Sequence, residues 1–272
     1  MIYAVQSNVV RIDPRVYGND GFLPGVAKDA TNWATFFREQ NIEVVGRYEN
    51  TSKKQFGRLI QTLSGNAKAG DLAIIQHSGH GTQQRDSSGD ELDGKDEMLC
   101  MFDGTLVDDR VWDLLSLFRP GVRVLLITDT CHSGTMYRST IGRSVRNIDR
   151  DQDSEATLNC SLLAVGTCTD KQTAADTQAG GAGSSALLAT YKTAADYRQW
   201  ILESQQWLRR KRFRQELVLN EVNAGGFVQQ RPFEDQQVSV PPSPGVNIGG
   251  PINGVAIYYA NGTVETKGNV PS

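Results

Sequence analysis

Two short stretches of the chain gather residue types that can break an amide bond. His77-Ser78-Gly79-His80-Gly81 offers two imidazoles, and Asp129-Thr130-Cys131-His132-Ser133-Gly134 offers a thiol beside a third. A cysteine attacks a carbonyl as its thiolate, and a neighbouring imidazole stabilises that form. The same imidazole can then protonate the departing amine. By residue type alone, His77, His80 and His132 all qualify. The negatively charged tetrahedral intermediate also needs hydrogen-bond donors. The backbone N–H groups of Gly81 and Cys131 are the natural ones. Glycines beside the reactive residues let a substrate backbone come close. His77 and His80, three residues apart at a strand end, do not form the helical HExxH metal pair.

The elements around these stretches explain how a thiol and an imidazole could meet. The apolar runs LAIIQ (72–76) and VRVLLIT (122–128) lead into them. Such β-branched and aliphatic runs suit strands covered on both faces. Strands are also expected over 2–10, over 42–47 as an edge strand, over 161–166 and within 254–262. Helices are expected over 29–40, where Trp33, Phe36, Phe37 and Gln40 share a face, and over 53–66 and 107–118. Asp29 stands where it would cap the first of these. Residues 179–185 read as a flexible turn before a helix over 187–195, and 196–220 as one long helix with a basic, solvated face. Residues 241–251 are a Pro/Gly linker. Alternating strands and helices argue for an α/β fold with a largely parallel sheet between helices. Ligands bind such sheets at the carboxyl ends of the strands, where both reactive stretches lie.

Bulk properties exclude several classes. The chain has 272 residues and a net charge of -3, so it lacks the basic excess of a nucleic-acid binder. No apolar run is long enough to span a bilayer. The start, MIYAVQSNVVRIDP, lacks the plan of a signal peptide, and a cytoplasmic protein is expected. Four cysteines with no CxxC pair suit free thiols in a reducing compartment better than a disulfide scaffold or a zinc site.

HSGHG, then the acidic DGKDE, then DTCHSG, resembles the metacaspases and their prokaryotic relatives, the orthocaspases. The resemblance extends to LPGVAKDA (23–30), to VGTCTDKQTAADT (165–177) and to QQRPFED (229–235). It implies a single caspase-like three-layer sandwich over 1–272, with a mainly parallel sheet of about six strands. Within it, 1–134 would match a large-subunit-like region and 158–272 a small-subunit-like region with an extension. Residues 135–157, polar and rich in Arg and Asp, read as a mobile loop between them.

The resemblance further implies that Cys131 is the nucleophile and that His80 is the imidazole. It implies cleavage after Arg or Lys, with Asp29, Ser78 and Asp129 lining the specificity pocket. Carboxylates in a cleft suit a guanidinium or ammonium group. Val26 stands where the family usually has cysteine. Calcium ligands of the family fall on Asp96, Asp108 and Asp109. The remaining ligand position falls on Arg138, whose cation opposes calcium, so no cofactor is expected to be required. The acids Asp96, Asp108 and Asp109 also suit a solvated loop and a helix start. Arg138, Arg143, Arg146 and Arg150 are the self-cleavage sites the resemblance suggests. Substrates would be proteins or peptides with Arg or Lys at the cut, and the chain would be a monomer. Two rivals belong to other classes: a non-catalytic scaffold that binds basic segments, and a thiol redox sensor built on Cys131.

Overall fold

The computed structural model describes residues 1–85, 95–130, 158–167, 176–177, 180–235, 255–259 and 264–267; over 83–85, 95–97, 176–177, 255–259 and 264–267 only the backbone is described. In chain order the elements begin with β1 (Ile2–Asn8), α1 (Pro14–Tyr17), α2 (Pro24–Glu39), β2 (Glu43–Glu49), α3 (Lys53–Asn66) and β3 (Leu72–Ser78). A small antiparallel sheet follows, β4 (His80–Arg85), β5 (Lys95–Met101) and β6 (Gly104–Val107). Then come α4 (Asp108–Leu115), β7 (Arg123–Asp129), β8 (Ser161–Gly166), β9 (Asp176–Thr177) and β10 (Gly180–Gly181). The chain continues as α5 (Ala182–Thr190), α6 (Tyr197–Arg210), β11 (Val218–Val222), β12 (Val255–Tyr259) and β13 (Val264–Lys267).

The main sheet runs β13-β12-β11-β8-β7-β3-β1-β2. Strands β8, β7, β3, β1 and β2 pair in parallel, and β11 joins them antiparallel. These form the expected mainly parallel sheet of about six strands, and β12 and β13 extend it to eight. Every residue of β3 and β7 is buried, as their apolar runs demand. One face carries Val5, Ile75, Val124 and Leu126 against Phe56, Leu59 and Leu63 of α3 and Trp112 of α4. The other carries Ala4, Ile74, Leu125 and Val165 against Trp33 and Phe37 of α2, Leu187 of α5 and Trp200 of α6. The result is a three-layer α/β sandwich. No helix among the described residues is long and apolar enough to cross a membrane.

Several elements depart from the sequence reading. Helix α2 starts at Pro24, because proline at the first turn presets φ and needs no N–H partner. Asp29 is therefore no cap; it lies in the second turn and is buried. Residues 182–185 open α5 instead of forming a turn. The long basic helix ends at Arg210, Arg212 takes φ 65, and 218–222 becomes a central strand. The β4–β6 sheet was not expected. Helix α3 spans 53–66 as read, with Ser52 and Gln55 forming a reciprocal capping box. The 135–157 segment lies outside the described residues, as does the linker.

Candidate active site

The two reactive stretches leave neighbouring strands at the same level. Ser78 at the end of β3 pairs with Asp129 at the end of β7, and Gly79 N–H donates to the Asp129 carbonyl at 3.2 Å. His80 follows Ser78 by two residues, as Cys131 follows Asp129. Cys131 and His132 lie outside the described residues. Thr130 is described and buried.

His80 opens β4, opposite Cys100 of β5. Its Nε2 lies 2.7 Å from the carbonyl oxygen of Gly21. A carbonyl only accepts, so Nε2 carries the hydrogen and Nδ1 is the nitrogen left to exchange a proton. Gly21 belongs to the loop between α1 and α2, within the segment that links β1 to α2. The loop is pinned by Ile12 N–H to the Asp20 carbonyl, by Leu23 N–H to the Val10 carbonyl, and by an Arg11–Asp20 ion pair. Gly21 has φ +44, and a β-carbon there would lie 2.7 Å from Ile12 Cδ1 and 2.9 Å from His80 Nε2. Glycine is therefore required both by conformation and by space. Nothing in the sequence singled out Gly21. A backbone carbonyl has no residue type to read, and the only trace was a glycine after Asn-Asp. Gly81, the second residue of β4, pairs with Leu99.

His77 has a different environment. It is fully buried between the sheet and α3, its Nδ1 lies 2.9 Å from Ser7 Oγ, and its ring meets Phe56 edge-on at 5.9 Å. Burial pushes its pKa down to about 4, so it is neutral near pH 7. Cys160 is buried too, and desolvation pushes its thiol up to about 12. Cys100 is buried as well, and Cys168 lies outside the described residues.

The three residues assigned to substrate selection lie close to the same edge. Asp129 Oδ1 accepts from Thr167 Oγ1 at 2.6 Å, and Oδ2 accepts from Ser184 N–H at 2.7 Å. Ser184 lies in the first turn of α5, so a carboxylate from the sheet serves the N-terminus of a helix whose own first residues supply no side-chain cap. Asp29 Oδ1 accepts from Gly181 N–H at 2.9 Å. Ser78 is buried, and its Oγ accepts from Gln76 Nε2 at 2.8 Å. Val26 is buried one turn before Asp29 on α2. Thr167, Gly181 and Ser184 went unnoticed in the sequence. Hydroxyls and glycines are common in such stretches, and only the fold brings them to Asp129 and Asp29.

Asp108 and Asp109 open α4, where acids complement the helix dipole, and Asp108 Oδ1 accepts from Asp109 N–H at 2.9 Å. Only the backbone of Asp96, on β5, is described. Among the described residues no three His, Cys, Asp or Glu converge as a metal would need. Arg138, Arg143, Arg146 and Arg150 lie outside the described residues.

Comparison with known proteins identifies relatives of this arrangement. The family model for the metacaspase, peptidase C14, domain matches residues 17–139. Metacaspase-1 of Arabidopsis thaliana is 32% identical over 148 residues, covering 48% of this chain and 40% of that protein. Metacaspase-1A of Neurospora crassa is 30% identical over 163 residues, covering 54% and 36%. The chain thus spans less than half the length of these curated relatives. A crystal structure of a Geobacter sulfurreducens protein superposes with a TM-score of 0.67 at 27% identity, covering 86% of this chain and 98% of that one.

Proposed function

We propose that the chain, which matches the metacaspase, peptidase C14, family model over residues 17–139, is a cysteine endopeptidase of that family that cuts after Arg or Lys. The Cys131 thiol gives its proton to Nδ1 of His80 and attacks the scissile carbonyl carbon. The N–H groups of Gly81 and Cys131 hold the resulting oxyanion. Collapse of the intermediate breaks the C–N bond, and His80 returns the proton to the leaving amine. Water, deprotonated by His80, then attacks the thioester, which releases the acid and restores the thiol. Asp29, Ser78 and Asp129 receive the basic side chain.

The observation that carries this reading is the bond from His80 Nε2 to the Gly21 carbonyl at 2.7 Å, made where the ends of β3 and β7 pair. It fixes the ring by one nitrogen and leaves the other for proton transfer. Function without calcium, self-cleavage after one of Arg138, Arg143, Arg146 or Arg150, and a monomeric state complete the proposal. The test is hydrolysis of fluorogenic Arg, Lys and Asp peptides by wild type and Cys131→Ala, with and without a chelator. Cleavage of Arg and Lys peptides by wild type alone, insensitive to chelation, is expected. Cleavage of none, or after Asp alone, overturns the reading.

A further inference from the structure

Asp29 and Asp129 come from different elements, yet both close on one glycine. A methyl group at Gly181 would overlap Asp129 Oδ2 and lie 2.8 Å from Asp29 Oδ2. Both acids are buried, 1% and 5% exposed. Backbone N–H groups of one short segment serve them both: Gly181 donates to Asp29, and Ser184, three residues on, donates to Asp129.

Neighbouring glycines in this segment exist for different reasons. Gly180 has φ +125, a region that L side chains rarely adopt. Gly183 is crowded by the side chain of Thr167. Gly181 has φ -58 and ψ 136, ordinary extended backbone open to any residue. Its conformation does not ask for glycine. Only the space between the two carboxylates does.

We propose that Gly181 determines specificity: its missing side chain lets the Asp29 and Asp129 carboxylates close on one point, where a single guanidinium can meet both. This rests on the Arg/Lys reading above. A guanidinium is a planar fork that engages carboxylates two nitrogens at a time, whereas an ammonium is a compact point charge. A methyl group at Gly181 forces the two carboxylates apart and therefore penalises arginine more than lysine.

The experiment compares Gly181→Ala with wild type on paired Arg and Lys peptides. Cys131 alkylation by iodoacetamide reports that the nucleophile is intact, and thermal unfolding reports that the variant folds. The expected result is a fall in kcat/KM for the Arg peptide of about 10- to 100-fold, the span one methylene commands in a pocket, with a smaller fall for Lys. Equal changes on both peptides, or none, overturn the inference and leave the Arg/Lys reading standing. Failure of wild type to cut either peptide removes both. Should Gly181→Ala not fold, wild type is given peptides with Nω,Nω-dimethylarginine in place of arginine. Cleavage weakened to the same extent is expected, and equal cleavage of both peptides overturns the inference.

Discussion

Acidification acts on His77 before it reaches the carboxylates. Burial holds the folded imidazole at a pKa of about 4, against 6.5 for the free group. Above pH 6.5 the ring is neutral in both folded and unfolded chains, so it has no effect on the balance. Below pH 6.5 the unfolded chain binds a proton that the folded chain refuses. Stability therefore falls with pH, by about 1.4 kcal/mol for each pH unit, until the folded ring also titrates near 4. The whole loss is about 3 kcal/mol, a large part of the roughly 5–15 kcal/mol that holds a typical domain together. Urea unfolding followed by tryptophan fluorescence from pH 7.5 to 4 measures it, on Cys131→Ala so that cleavage does not intrude. His77→Gln, added to that background, keeps a hydrogen-bonding side chain for Ser7 but does not titrate. The gap in stability between the proteins with and without His77→Gln should be constant above pH 7. By pH 4 it should shift by about 3 kcal/mol against the protein that retains His77. Parallel curves over that range would refute the reasoning.

Three further outcomes follow from the site. Gly21→Ala forces a side chain into left-handed backbone and against His80 Nε2, so kcat should fall at least about tenfold and the pH profile of Cys131 alkylation should move; an unchanged profile would separate Gly21 from the imidazole. Asp129→Asn loses the charge that Thr167 Oγ1 and Ser184 N–H both serve, and should cost about 1–3 kcal/mol in denaturant unfolding besides weakening cleavage after basic residues. Cys160, whose thiol is pushed up to about 12, should resist iodoacetamide in the native protein at pH 8 and react only in urea, as peptide mass spectrometry can show.

The strands that build the site were legible because burial on both faces leaves a plain signature. LAIIQ, VRVLLIT and SLLAVG became β3, β7 and β8 nearly residue for residue. Helix α3 takes the residues read for it, 53–66, and the structure adds a capping box at its start. Strand β11 was not, because the basic run before it continued a helical pattern that Arg212 ends in the left-handed region. The β4–β6 sheet pairs short, polar strands whose order comes from their ladder and not from an apolar run. At the site, the side chains with titratable types stood out, whereas their supports did not. The Gly21 carbonyl, the Ser184 N–H and the bare α-carbon of Gly181 act through backbone and space, and neither has a letter of its own.

The claim that a thiol at 131 works with the imidazole of His80 on basic substrates is tested most directly by an arginyl chloromethyl ketone peptide. A single thioether adduct is expected, mapped to Cys131 by peptide mass spectrometry, that forms roughly 100-fold more slowly in His80→Ala. Little reaction is expected with the aspartyl analogue. An adduct on another residue, or one that forms on Cys131 as fast without His80, would contradict that claim.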